Sequence, residues 1–167
     1  DAYADIVKEA TRGLNCMLVF EPGRVLVGNA GVLVTRVMYV KSSGSKRFVI
    51  VDAAMNDLIR PSLYEAYHEV VAVKPDPAAP TELGDLVGPV CETGDIFAQD
   101  RLMRVPEAGD LLVLRSCGAY GAVMASNYNA RLLVPEVMVK GNAYAVIRPR
   151  QTYEQLISRD TIPEWLE

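Results

Sequence analysis

Two β-branched runs, residues 33–40 and 46–52, flank Lys41-Ser42-Ser43-Gly44-Ser45, and this pattern constrains the fold more than any other feature of the chain. Apolar and β-branched residues joined by a short Gly/Ser stretch predict a β-hairpin. Further strands are expected at 67–73, 86–91, 111–116, 132–140 and 143–148. The last two flank Gly141-Asn142, a second hairpin signal. Pro75 to Pro80 reads as a proline-rich surface loop, and 151–159 as a short terminal helix with Tyr153, Leu156 and Ile157 on one face. Short strands with frequent turns point to an antiparallel barrel or sandwich.

The first thirty residues have a different texture. Tyr3, Ile6, Val7 and Ala10 recur at helical spacing over 1–13, and Gly13 is a natural stop. Cys16-Met17-Leu18-Val19-Phe20 then reads as a buried strand ending at Pro22-Gly23. A helix leading into a wholly apolar strand is the pattern of an α/β barrel. The expected fold class is therefore mainly β with some α: an antiparallel β-barrel or sandwich domain preceded by the last helix and strand of an α/β barrel. The division is expected near residue 30, giving segments 1–30 and 31–167. A lone helix and strand cannot cover their own apolar side, so further barrel is expected ahead of Asp1.

Several function classes are disfavoured. The net charge is −4 with no basic block, whereas a nucleic-acid groove needs clustered Lys and Arg. The longest apolar stretch, 25–40, is broken by Asn29, Thr35 and Arg36 and makes a poor membrane span. Asp1 to Asp5 lack the basic start of a signal peptide. Cys16, Cys91 and Cys117 are odd in number and lack CxxC spacing. Neither a disulfide framework nor a zinc site is expected, no metal is predicted, and a reducing cytoplasm fits. The single histidine, His68, reads as a surface or packing residue rather than a ligand.

Four segments could carry chemistry, each with an ordinary alternative. Glu21-Pro22-Gly23-Arg24 ends the apolar run, where barrel enzymes build their sites. Gly23 would admit an anion close to the backbone, and Arg24 offers a planar fork to carboxylate or phosphate. A plain strand-to-helix turn explains the same residues. Arg60 and Tyr64 lie four apart in Arg60-Pro61-Ser62-Leu63-Tyr64 and share a face if a helical turn forms; the alternative is a helix start with a solvated Arg. In Cys91-Glu92-Thr93-Gly94-Asp95 a thiol beside two acids is expected to stay in its protonated form, as a proton donor; the alternative is a strand end and an acidic turn. Cys117-Gly118-Ala119-Tyr120-Gly121-Ala122 leaves room for a flat ligand beside the Tyr120 phenol, or is simply a tight sheet crossing.

Taken together and in order, these stretches carry a family resemblance. EPGR at 21–24, VGNAGVLVTRV at 27–37, VDAAMNDLIRPSLYEAYHEV at 51–70, GPVCETGDIF at 88–97 and GAYGAVMASNYNARLLVPEVMV at 118–139 resemble the C-terminal part of the pyridoxal-phosphate-dependent amino-acid decarboxylases that share an alanine-racemase-like barrel. The resemblance is strongest to the members acting on meso-2,6-diaminopimelate, whose product is L-lysine. It implies pyridoxal 5'-phosphate as cofactor, a small amino acid as substrate, and a homodimer with shared active sites. It implies that Glu21 faces the pyridine nitrogen, that Pro22, Gly23 and Arg24 lie at the cofactor with Arg24 also reaching substrate, and that Arg60 and Tyr64 bind a substrate carboxylate. Cys91 would protonate the product carbon, Glu92 would read the distal ammonium, and Tyr120 would contact cofactor and substrate. Thr93 stands where the family pattern has Ser, with no functional consequence expected.

The resemblance also makes 1–30 the end of an N-terminal cofactor-binding barrel. That barrel carries the family's cofactor-anchoring lysine and glycine-rich phosphate loop. Lys8, Lys41, Lys46, Lys74 and Lys140 sit in no matching motif and read as surface residues, so the chain by itself is expected to be inactive. Two alternatives stand beside this reading: a related decarboxylase of ornithine or arginine, and a non-catalytic binding or dimerisation module of the same family.

Overall fold

The computed structural model describes residues 2–44 and 46–166. Among the described residues, eight strands form two sheets. The larger has β1 (Leu33–Ser43), β2 (Lys46–Val51), β3 (Val70–Ala72), β4 (Thr81–Val87), β5 (Ile96–Arg104) and β6 (Leu111–Leu114) in the order β3-β6-β1-β2-β4-β5. The smaller is the ribbon β7 (Glu136–Lys140) with β8 (Ala143–Arg148). Neighbours are antiparallel except β2 and β4, which run parallel, so the main sheet is mixed.

β1 organises the sheet because its side chains alternate. Thr35 and Val37 point inward between exposed Val34 and Arg36. A register shift between Val37 and Tyr39 then changes the phase. Beyond this irregularity Tyr39 stays exposed while Val40 packs on the core. The core joins Val37, Val49 and Val51 to Leu58, Leu86, Phe97, Leu112 and Leu114. Burial of each large side chain contributes about 1.5–3 kcal/mol.

Two helices are short. α2 (Arg60–Tyr64) begins with Pro61 in its first turn and ends where Glu65 turns left-handed at φ 52. α3 (Tyr153–Ile157) is fixed by a capping box between Thr152 and Gln155. α1 (Ala2–Ala10) follows the expected helix but buries none of its residues.

Three expectations need correction. Residues 16–20 form no strand; they run as an irregular segment with Met17 86% and Val19 77% exposed. An apolar run states a need for burial, and no described strand lies beside this one to supply it. β5 was unexpected, because Gln99, Asp100 and Arg101 interrupt its apolar residues. Lys46 is not simply solvated: its Nζ lies 3.4 Å from both Asp85 and Asp100, and these carboxylates raise its pKa. Of the expected 41–45 turn, Gly44 is left-handed at φ +60, while Ser45 lies outside the described residues. Among the described residues no helix is long and apolar enough to cross a membrane.

Candidate functional site

Two glycines dock the Arg24 turn on the end of β6. The amide of Gly118 donates to the Gly28 carbonyl at 3.0 Å, and that of Cys117 to the Gly31 carbonyl at 2.8 Å. A Cβ on Gly118 would stand 2.0 Å from the Val27 carbonyl oxygen, and one on Gly31 would stand 2.5 Å from Gly118 Cα. Only two residues without side chains allow this approach. Nearby, Gly23 opens the 3₁₀ turn Gly23–Leu26 at φ +57, with nothing within 4 Å of where a Cβ would lie.

Arg60 meets a buried histidine, and the charge of Arg24 is felt at the same ring. His68 is 1% exposed. Its Nδ1 lies 2.9 Å from the Arg115 carbonyl oxygen. A carbonyl can only accept, so Nδ1 carries the hydrogen and Nε2 presents its lone pair. That lone pair faces the Arg60 Nη1 at 3.5 Å. Burial lowers the His68 pKa below 6.5, and the charges of Arg60 and Arg24 lower it further. Beside the ring, the Cys117 thiol donates to the Leu114 carbonyl at 3.2 Å, and burial pushes its pKa to about 11. Cys117 is thus held as a neutral thiol.

A second cluster forms on the loop between β4 and β5. Asp95 is buried and accepts from the amides of Met55 and Val90, both at 2.7 Å. Burial raises its pKa. This carboxylate pins the loop that presents Cys91 and Glu92, both exposed. Glu92 accepts from the Gly94 amide at 3.2 Å and from the Tyr128 hydroxyl at 3.3 Å. The Glu92 charge is the main reason the Tyr128 pKa is raised, with a smaller contribution from Cys91. The loop packs against α2: a Cβ on Gly94 would stand 2.6 Å from the Ser62 hydroxyl.

The segment carrying Tyr120 and Tyr128 is tied to the loop after β2. The Ser126 amide donates to the Asn56 carbonyl at 2.9 Å, the Asn56 side-chain amide donates to the Ser126 carbonyl at 3.1 Å, and the Arg131 guanidinium donates to the Asn56 side chain at 2.9 Å and the Asp52 carbonyl at 2.5 Å. A cleft of about 700 Å³ is lined by Val32, Asp52, Asp57, Arg131, Arg150 and Tyr153 among others. None of Arg24, Arg60, Cys91 or Glu92 lines it. The chemically pointed residues therefore lie on open surfaces outside it.

Of the residues expected from sequence, Arg60 lies against His68, whose pKa the Arg24 charge also lowers, and Cys91 and Glu92 share one loop. Glu21, Pro22, Tyr64 and Tyr120 are exposed, and Tyr120 is left-handed at φ 58. Sequence reasoning missed two members. His68 is set by a carbonyl distant in sequence. Tyr128 lies within the stretch 118–139 but was assigned no role there.

The buried titratable groups predict how stability varies with pH. The folded-state pKa of His68 lies below its unfolded value of 6.5, so the folded state binds fewer protons between the two. Its contribution is complete above 6.5 and is lost as pH falls through the folded pKa. Asp57 and Asp95 have the opposite sign, with folded pKa values raised above 3.8. Their contribution is complete below 3.8 and is lost as pH rises through the raised values. Between pH 7.5 and 5 the His68 contribution lowers the urea midpoint as pH falls, against that of the two aspartates, and His68→Gln should remove this component from the slope. An identical slope in the variant would assign the effect to other groups.

Comparison with known proteins shows the family. Residues 5–118 match the family model described as "Pyridoxal-dependent decarboxylase, C-terminal sheet domain". Diaminopimelate decarboxylase of Zymomonas mobilis is 56% identical over 99% of the chain and 39% of its own length. That of Neisseria meningitidis serogroup A is 54% identical over 95% of the chain, again 39% of its own length. The structure of the Helicobacter pylori diaminopimelate decarboxylase complexed with L-lysine superposes with TM-score 0.83 at 41% identity, covering 94% of this chain and 38% of that one. The structure of the diaminopimelate decarboxylase from m. jannaschi gives TM-score 0.87 at 37% identity over 100% of this chain and 38% of that one. The chain thus spans about 39% of the length of the curated relatives it matches.

Proposed function

The chain belongs to the pyridoxal-dependent decarboxylases, as their C-terminal sheet domain, and from that premise we propose that it supplies the substrate-recognition and proton-donating side of a diaminopimelate decarboxylase. The reaction is release of CO₂ from meso-2,6-diaminopimelate to give L-lysine. The observation that carries this reading is Arg60 set against buried His68, with the charge of Arg24 also felt at that ring, and a separate loop bearing Cys91 and Glu92. A diacid with two ammonium groups needs cations and an acid presented together.

The residues around Gly23 fit pyridoxal 5'-phosphate. The open space at Gly23 admits a phosphate-sized anion, and Arg24 provides a positive partner. Glu21, Pro22, Gly23, Arg24 and Tyr120 would hold the cofactor. Bound there, pyridoxal phosphate supplies the electron sink for loss of CO₂. Arg24, Arg60 and Tyr64 then orient substrate carboxylate. Glu92, steadied by Tyr128, meets the distal ammonium, and Cys91 Sγ delivers a proton to the carbon that has lost CO₂. Tyr120 closes against both ligands.

The surface supports a larger assembly. The chain exposes 12228 Å², whereas a compact monomer of its mass exposes roughly 8,000 Å². Exposed Met17, Val19, Phe20 and Val25 contribute to the excess. In this reading residues 1–30 pack as part of an α/β barrel, 31–167 form the β domain, and a homodimer shares its sites. The cysteines are free thiols, which suits a reducing cytoplasmic setting.

The test is CO₂ release by the pyridoxal-loaded holoenzyme from meso-diaminopimelate, ornithine and arginine. A site built to pair both charges of the distal centre rejects analogues lacking the distal carboxylate by roughly 10⁴-fold. Comparable turnover of ornithine would overturn the substrate assignment. Glu92→Gln should lower kcat/KM for diaminopimelate by roughly 10–150-fold, the loss of a charge-assisted bond. An unchanged kcat/KM would remove Glu92 from ammonium recognition.

A further inference from the structure

Buried beside α2 is a titratable group that the proposed chemistry does not consume. We propose that His68 is the positioning residue for Arg60, acting as the neutral Nδ1–H tautomer whose Nε2 lone pair aims the guanidinium at a substrate carboxylate. This inference rests on the decarboxylase reading of Arg60 and adds a residue to it.

The geometry fixes the orientation of the ring. Nδ1 donates to the Arg115 carbonyl at 2.9 Å, and the ring is 1% exposed, so water cannot substitute for either partner. The backbone of His68 is held as well. Its carbonyl accepts from Arg101 Nη1 at 3.1 Å, while the same guanidinium stacks over Tyr67 at 4.1 Å. With both ends of the residue anchored, Nε2 has one direction, towards Arg60 Nη1 at 3.5 Å. That distance is the outer reach of a hydrogen bond. It aligns the guanidinium while leaving its remaining donors for a ligand. An arginine on a five-residue helix with an exposed face would otherwise sample many rotamers.

The surrounding charges favour the neutral ring. α2 presents Arg60, the turn after Gly23 presents Arg24, and β5 presents Arg101. The segment after β6 presents the neutral Cys117 thiol and Arg115. Arg115 is paired to Glu69 at 2.9 Å, which offsets the nearest acid. A proton on Nε2 would abolish the acceptor and place a cation against Arg60. Substrate carboxylate binding therefore weakens as pH falls, and the weakening reports on KM rather than on kcat.

Two substitutions divide the ring's functions. In His68→Asn the amide can retain the donor to Arg115 but cannot reach Arg60. In His68→Gln the longer side chain can put an oxygen where Nε2 stood. For the holoenzyme acting on diaminopimelate, His68→Asn should raise KM roughly tenfold, the loss of one bond to a charged group, with kcat held within about twofold. His68→Gln should restore most of KM and remove its rise at low pH. An unchanged KM in His68→Asn, with KM raised in Arg60→Ala, would overturn the positioning role and leave the decarboxylase reading intact. An unchanged KM in Arg60→Ala would overturn the role of Arg60 itself, and this inference with it. A separate readout needs no turnover: ¹⁵N NMR of the protein should show His68 with hydrogen on Nδ1 and none on Nε2 at pH 7. Hydrogen on Nε2 would overturn the proposal directly.

Discussion

Gly118→Ala should be the most damaging single-methyl change in the chain. The new Cβ would stand 2.0 Å from the Val27 carbonyl oxygen, 2.7 Å from the Gly31 amide nitrogen and 3.1 Å from the Val27 carbonyl carbon. All three are backbone atoms, so no rotamer change relieves the overlap. The segment must move away, breaking the 3.0 Å bond from Gly118 to Gly28 and the 2.8 Å bond from Cys117 to Gly31. A cost of about 3 kcal/mol or more is expected, at the upper end for a single substitution. Denaturant unfolding measures it, and hydrogen exchange should show residues 23–31 losing protection first. Gly31→Ala meets the same contact from the other side. The two substitutions together should therefore cost less than the sum of the single ones. An alanine at 118 with wild-type stability would mean that the Arg24 turn is not held by this approach.

Cys91→Ala should reduce kcat of the holoenzyme by roughly 10²–10⁴-fold, the usual contribution of a positioned proton donor. The thiol is exposed on a loop whose shape does not depend on it. The Asp95 carboxylate, two amide bonds and the Gly94 contact with Ser62 hold the loop. Alanine should thus remove the proton donor and leave the fold unchanged, with a melting temperature near that of the parent. KM should also hold, because Arg60 and Glu92 stay in place. Turnover within twofold of the parent would exclude Cys91 as the donor.

Strands defined by their own chemistry were legible in the sequence. β-branched residues around a Gly/Ser turn marked β1 and β2, and Gly141-Asn142 marked β7 and β8. Strands defined by their neighbours were not. β4 was expected from residue 86 but begins at Thr81, since Gly84 and Asp85 look like a turn until the parallel partner β2 buries them. β5 is paired by β4 through Gln99-Asp100-Arg101, residues that do not read as a strand alone. The run 16–20 failed differently, because apolarity specifies burial without saying what supplies it.

The site follows the same division. Arg24, Arg60, Cys91 and Glu92 stood out only through the family resemblance of several stretches in order, not through any one motif. His68 did not, because its role comes from the Arg115 carbonyl, beyond any local pattern. Tyr128 was likewise overlooked, since only folding brings its hydroxyl to Glu92.

The β7–β8 ribbon stands apart from the main sheet, with every residue of β8 exposed. A two-stranded ribbon with no buried face has almost no stability of its own. Its base is held where Gln151 accepts from Asn127 at 2.6 Å and from the Leu133 amide at 3.0 Å. Its ladder amides should therefore exchange through local opening, well below the cost of unfolding the core. The ribbon thus works as a gauge of assembly. Slow exchange along 137–147 would appear only when another surface covers it, and the degree of slowing would measure how tightly that surface is held.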